Sequence, residues 1–206
     1  MKRTSTEYVE KWLKLNQEGH FQEAKSYYFD NLFGNIIDDF KARTEGRFRK
    51  GGVLFSILGY TPEPIILTQH ALQPQKHIIF ISRNDEHFNQ EIAPYLEKYL
   101  TSNYELVTLP DNTFNSIYGV LKEQLALCPA REYFVDITGG KKSTVGIASI
   151  FARDYDCNLL YVDYDEYIAE LRRPRPGTED LFLVYNPTEN LPTRFVRALE
   201  RSTIRK

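Results

Sequence analysis

The sequence predicts an α/β fold: a mostly parallel six-stranded sheet covered by helices on both faces, with a helical hairpin at its N-terminus. Three observations predict it. Short runs of β-branched and aromatic residues alternate with stretches at helical spacing from residue 53 onward. Residues 132–155 (EYFVDITGGKKSTVGIASIFARDY) read as strand, glycine turn and helix in immediate succession. The chain has 206 residues, 42% hydrophobic and 26% charged, which suits one such domain with an appendage and allows a real core.

Taken in order, residues 6–43 are expected to be helical. Tyr8, Val9, Trp12, Leu13 and Leu15 form one apolar stripe, Glu18-Gly19-His20 breaks it, and Phe21, Ala24, Tyr27, Tyr28, Leu32, Ile36 and Phe40 form a second. Arg43 to Gly52 is charged and glycine-bearing, a natural boundary. Val53 to Ile57 reads as the first strand. Gly59-Tyr60-Thr61-Pro62 turns into a helix through Ala71, with Thr61 suited to cap it and Pro62 to open it. His77 to Ser82 is the second strand and Arg83-Asn84-Asp85 its exit loop. A helix over Phe88 to Leu100 follows despite Pro94, then a strand over Tyr104 to Leu109 and a helix over Thr113 to Leu127. Glu132 to Ile137, Asn158 to Val162 and Leu181 to Tyr185 complete six strands. Residues 163–180, with Arg172, Arg173 and Arg175 among prolines, read as a stiff connector. The tail from Asn190 has helical spacing at Leu191, Phe195, Val196 and Leu199. The expected division is a helical hairpin over 1–46, a ligand-binding domain over 47–187 and a helical tail over 188–206.

The residues that carry chemistry gather at the carboxyl ends of the predicted strands, where ligands bind in such sheets. Asp136, Thr138, Gly139, Gly140, Lys141, Lys142 and Ser143 stand between the fourth strand and the next helix. A glycine turn there presents backbone N–H groups and the positive end of a helix to an anion, and two lysines share the spot. The pattern points to a phosphate-facing site. Leu58, Gly59, Tyr60 and Thr61 leave the first strand, and Ser82, Arg83 and Asn84 the second.

Other chemistries fail on spacing. A Walker loop needs glycine at 135, where valine stands, and Ser/Thr at 142, where lysine stands. Gly139-Gly140 is not a dinucleotide fingerprint. His20, His70, His77 and His87 lack ligand spacing, and Cys128 and Cys157 are isolated, so neither metal nor cofactor is expected. Asp136 fits Mg²⁺ ligation less well than a role in holding the turn rigid. A net charge of -2 argues against a duplex nucleic-acid partner. With no apolar run near ~20 residues, a soluble cytoplasmic chain is expected.

Residues 52–74 (GVLFSILGYTPEPIILTQHALQP) followed by KHIIFIS resemble the opening of CARF domains, the CRISPR-associated Rossmann-like sensors. VDITGGKKS (135–143) resembles the family's second motif, and YDEYIAELRRPRPGTEDL a segment after its fifth strand. The resemblance spans roughly residues 50–187, with Lys141 standing where many members carry a small residue. It implies a homodimeric sensor of cyclic oligoadenylate, the second messenger of type III CRISPR antiviral defence, with cyclic tetra-adenylate as the expected ring. The implied ligand residues are those named at the strand ends above, with Tyr60 stacking on a base, and no catalytic residue is assigned. The alternative it implies is a ring nuclease, in which a 2′-hydroxyl attacks its own phosphate without metal. Arg3 and Arg47 have no histidine at the spacing of a HEPN ribonuclease motif, so the effector is expected to be either the helical hairpin itself, acting as an interaction arm, or a domain or membrane segment beyond these residues.

Overall fold

The computed structural model describes residues 6–82, 86–101 and 103–189. Three helices open the chain: α1 (Thr6–Gln17), α2 (Phe21–Tyr27) and α3 (Phe33–Thr44), with a π-helical turn over Tyr28–Leu32. Gly19, at φ 83°, makes the break between α1 and α2 in a conformation that side chains disfavour. Then come β1 (Val53–Ile57), α4 (Glu63–Leu72), β2 (Lys76–Ile81), α5 (Ala93–Tyr99), β3 (Tyr104–Thr108), α6 (Phe114–Leu127), β4 (Tyr133–Asp136), α7 (Lys142–Asp154) and β5 (Asn158–Tyr164). Two short strands, β6 (Tyr167–Ile168) and β7 (Arg173–Pro174), precede β8 (Glu179–Tyr185).

The main sheet has six strands in the order β3-β2-β1-β4-β5-β8. All neighbours are parallel except β8, which runs antiparallel to β5 along the edge. Helices cover both faces, so β1 is buried at every position and its sequence shows no alternation. The pleat still sorts its side chains. Leu54 joins the face packed against α1, α3, α4 and α5, whereas Val53, Phe55 and Ile57 join the face under α6 and α7. The N-terminal helices are part of the first of these clusters: Trp12, Phe33 and Phe40 share it with Ile66, Leu160 and Leu181. Arg43 and Arg47 add polar ties, donating to the backbone carbonyls of Glu179 and Leu181 at 2.7 Å each.

Four local expectations need correction. Pro62 takes the position before α4 without any side-chain cap, so Thr61 does not cap that helix. The helix expected over 88–100 is not continuous: a π-helical turn over Phe88–Ile92 precedes α5, which carries Pro94 in its first turn. Proline has no N–H to give to the preceding turn, and the widened turn accommodates the missing bond. The stretch read as a connector contains the β6–β7 hairpin, turned at Arg172 with φ 51°. β8 begins two residues earlier than expected, at Glu179. The exit loop at Arg83-Asn84-Asp85 and the tail from Asn190 lie outside the described residues. No helix among the described residues is long and apolar enough to cross a membrane.

His77 is fully buried within β2, its Nε2 2.9 Å from the Ser56 hydroxyl of β1. Burial pushes the imidazole down to about 3. The unfolded chain takes up this proton near pH 6.5 while the folded chain refuses it, so this contribution is complete above pH 6.5 and is lost as pH falls toward 3. Relative to His77→Gln, wild-type stability should drop by about 2 kcal/mol between pH 7 and pH 5 in urea titrations. Parallel curves for the two proteins would show that the imidazole titrates alike folded and unfolded.

Candidate functional site

The order of the sheet reverses between β1 and β4: β2 and β3 lie on one side, β5 and β8 on the other. Connections leaving strands at such a switch point diverge, and a crevice opens outside their carboxyl ends. Here the two exits touch. Gly59 follows β1, Gly139-Gly140 follows β4, and their backbones abut. A Cβ on Gly139 would stand 2.4 Å from the Ile57 carbonyl oxygen and 2.5 Å from the Gly59 nitrogen. Gly140 has φ 90°, and a Cβ there would meet Ile57 Cγ2 at 2.4 Å. Both positions are therefore closed to side chains, and the bare backbone forms the floor of the crevice.

Asp136 stiffens this floor from below. Its Oδ1 accepts the Thr138 N–H at 2.9 Å and the Thr138 hydroxyl at 2.6 Å. The Thr138 oxygen in turn accepts the Val162 N–H at 2.8 Å, which ties the turn to β5. The only hydroxyl proton of Thr138 is thereby committed, leaving the residue an acceptor toward any ligand. Burial pushes the Asp136 carboxyl above its ordinary range, while the two Thr138 bonds pull it back.

Lys141 precedes α7 with extended backbone and gives it no side-chain cap. The first N–H groups of α7 thus have no side-chain partner at their end, and the helix dipole adds positive potential there. Lys141 and Lys142 are both exposed at this point. The crevice holds about 670 Å³, within the range of small-ligand sites.

Most of the residues expected from sequence converge on it. Leu58, Gly59, Tyr60 and Thr61 line it from the β1 exit, Ser82 from the β2 exit, and Thr138, Gly139, Gly140, Lys141 and Lys142 from the β4 turn. Asp136 lies beneath rather than on the wall. Ser143 is exposed on α7 and does not line the crevice. Arg83 and Asn84 lie outside the described residues. Sequence reasoning missed Pro64, Thr144 and above all His87. The His87 ring meets the edge of Tyr60 with centroids 6.0 Å apart, and Tyr60 itself is 87% exposed. Pro64 lies in the quoted Gly-aromatic-Thr-Pro-Glu-Pro string, so its signal was present; nothing local in the sequence shows which way His87 faces. Among the described residues no group of three or more His, Cys, Asp or Glu is placed to hold a metal ion.

Fold and site together define a Rossmann-like domain with an anion-suited crevice at its switch point, and with the sequence match that follows they support a CARF domain. The chain is 37% identical over 90 residues to the CRISPR system endoribonuclease Csm6 of Thermus thermophilus, a stretch covering 41% of this chain and 19% of that relative. The chain thus spans less than a fifth of the curated relative that it matches. No protein-family model matches. Among solved structures it is similar to Enterococcus italicus Csm6 bound to cyclic hexa-2′-fluoro-hexa-dAMP (17% identity, 57% of this chain and 35% of that one, TM-score 0.43). It is also similar to Can2 from Sulfobacillus thermosulfidooxidans in complex with cyclic tetra-adenylate (19%, 62% and 33%, TM-score 0.43). MtNAS in complex with MTA and tNA gives 19% identity over 76% of this chain and 54% of that one, with TM-score 0.40. These three structural likenesses are distant.

Proposed function

We propose that this chain is a homodimeric sensor that binds cyclic oligoadenylate, with cyclic tetra-adenylate as its ring, in type III CRISPR antiviral defence. One observation carries the reading: the side-chain-free contact of Gly59 with Gly139-Gly140 at the β1/β4 switch point, beside Lys141, Lys142 and the uncapped start of α7. Backbone and lysines suit phosphates, and the exposed Tyr60 ring suits a base. The motif resemblance suggests the class of ligand, and the match to Csm6 supports the CRISPR setting. A cyclic ligand with twofold symmetry is met by two identical half-sites, hence the dimer. Residues 47–187 form the ligand-binding domain in this proposal, and the helices within 1–46 carry the signal to an effector. Light scattering should report a dimer with cyclic tetra-adenylate present. A monomer with and without it contradicts the assembly.

His87 favours a second reading, the ring nuclease, because an imidazole lining the crevice can both accept and donate a proton. In that reaction the 2′-oxygen bonds to the adjacent phosphorus and the 5′-oxygen leaves, giving a 2′,3′-cyclic phosphate and a 5′-hydroxyl. The 2′-hydroxyl proton passes to a base and a proton is returned to the leaving oxygen. The sensor reading predicts little or no linear product when excess protein is incubated with the ring without metal and followed by chromatography. Complete conversion within minutes, lost in His87→Ala, would establish the nuclease instead.

A further inference from the structure

β8 is an edge of the main sheet, and it carries apolar side chains into solvent. Phe182, Leu183 and Val184 follow one another along it at 46%, 40% and 54% exposed. Sheets guard their edges with charge, short strands or a covering segment, and a bare apolar run at an edge marks a docking face. Phe182 shows which face lies open. It stands opposite Tyr161, two residues beyond Leu159, and Leu159 belongs to the core under α6 and α7. Phe182 and Tyr161 therefore point to the α6–α7 side of the sheet. Among the described residues those helices leave this outer strip partly bare. The connection from β5 to β8 gives it no cover, because Ile168 and Leu171 pack on the opposite core.

The stretch that follows β8 has the length and the chemistry to cover it. Asn186 to Glu189 form a β-turn: the Glu189 N–H donates to the Asn186 carbonyl at 3.2 Å and the Thr188 N–H to Asn186 Oδ1 at 2.9 Å. Such a turn sends the chain back along the strand it has left. Residues 190–206 lie outside the described residues. At helical spacing their sequence puts Leu191, Phe195 and Leu199 in one stripe, with Arg194, Arg201 and Arg205 along its flank.

The distances agree. From the end of β8 at Tyr185, Phe182 lies roughly 10 Å back along the strand. From Glu189, Phe195 lies about 9 Å along a helix. Asp180 is roughly 17 Å back on the same strand, and Arg201 is about 18 Å along the same helix. Asp180 faces Asp163 across β8 and β5, a juxtaposition of like charges that favours cations beside it. Arg47 meets Asp180, and a second arginine would meet Asp163.

We propose that residues 190–206 fold back as an amphipathic helix antiparallel to β8, seating Phe195 and Leu199 on Phe182 and Tyr161 and bringing Arg201 to Asp163. The tail then extends the layer of α6 and α7 to the edge of the sheet and closes that edge to other strands. This docking does not depend on the ligand of the crevice.

Hydrogen exchange of the full chain, read peptide by peptide by mass spectrometry, tests it. Amides of residues 193–203 should exchange at least about 10-fold more slowly than in a free peptide of the same sequence, at every protein concentration. Phe182→Ser should return them to within about 2-fold of the peptide rate. Its melting temperature should stay within a few degrees, since the ring is half exposed. Phe195→Ser should release the tail equally, and it alters no residue of the described core, so it carries the test if Phe182→Ser fails to fold. Free-peptide rates in the wild type, or protection untouched by Phe195→Ser, overturn the proposal. So does self-association in sedimentation that is lost in Phe182→Ser while the tail exchanges freely, which would seat a second copy on this face instead.

Discussion

Gly139→Ala should destabilise the protein by about 3 kcal/mol or more and abolish ligand binding with the same stroke. The added Cβ would lie 2.4 Å from the Ile57 carbonyl oxygen and 2.5 Å from the Gly59 nitrogen, and both are backbone atoms that cannot swing away. The β1 and β4 exits must separate to admit it, which opens the floor of the crevice and strains two central strands. For a chain of this size the loss corresponds to a fall in melting temperature of roughly 6–12 °C. Gly146→Ala is the control. Gly146 lies inside α7, is exposed, and an added Cβ would meet nothing within 4 Å. That change should stabilise by about 0.5–1 kcal/mol through helix propensity alone. Thermal unfolding of the two variants side by side checks the contrast, and equal melting temperatures would mean that the two turns do not pack as described.

Lys142→Ala should leave stability alone and cost binding. The side chain is exposed in the first turn of α7 and lines the crevice. A charge-assisted contact to phosphate contributes about 1.5–3 kcal/mol, and a dimer loses it twice, so affinity should fall by about 100-fold or more. The loss should also shrink as salt is raised, because screening already weakens the wild-type contact. Calorimetry at two salt concentrations measures both effects. An unchanged affinity would mean that the lysine only faces solvent.

Much of this arrangement was legible in the sequence because it rests on local rules. The strand–glycine–helix string at 133–154 needed no distant partner to be read, and the apolar runs of β1 and β2 are those of strands buried on both faces. Local signals also placed Tyr60, Ser82 and Lys142 at strand ends, from which the sheet order brings them to one crevice. What the sequence hid depends on the third dimension. Periodicity cannot register strands of two residues, so the β6–β7 hairpin read as connector. The π-helical turn before Pro94 keeps the apolar spacing of a helix, and His87, which lines the crevice, precedes it directly. The role of Thr138 depended on Val162, 24 residues further on, which uses its oxygen. A second cavity, of about 660 Å³, is the extreme case, since Trp12, Glu63 and Glu179 come to line it only once three separate segments have packed on the sheet.

The central claim is that two copies of the Gly59/Gly139-Gly140 crevice close around one cyclic oligoadenylate. A calorimetric titration of the protein with cyclic tetra-adenylate, with cyclic hexa-adenylate and a linear tetra-adenylate as controls, tests it most directly. The account predicts one ring of cyclic tetra-adenylate bound per two chains, with the linear form and the larger ring weaker. No heat from any of the three, or one ring bound independently by each chain, would contradict it.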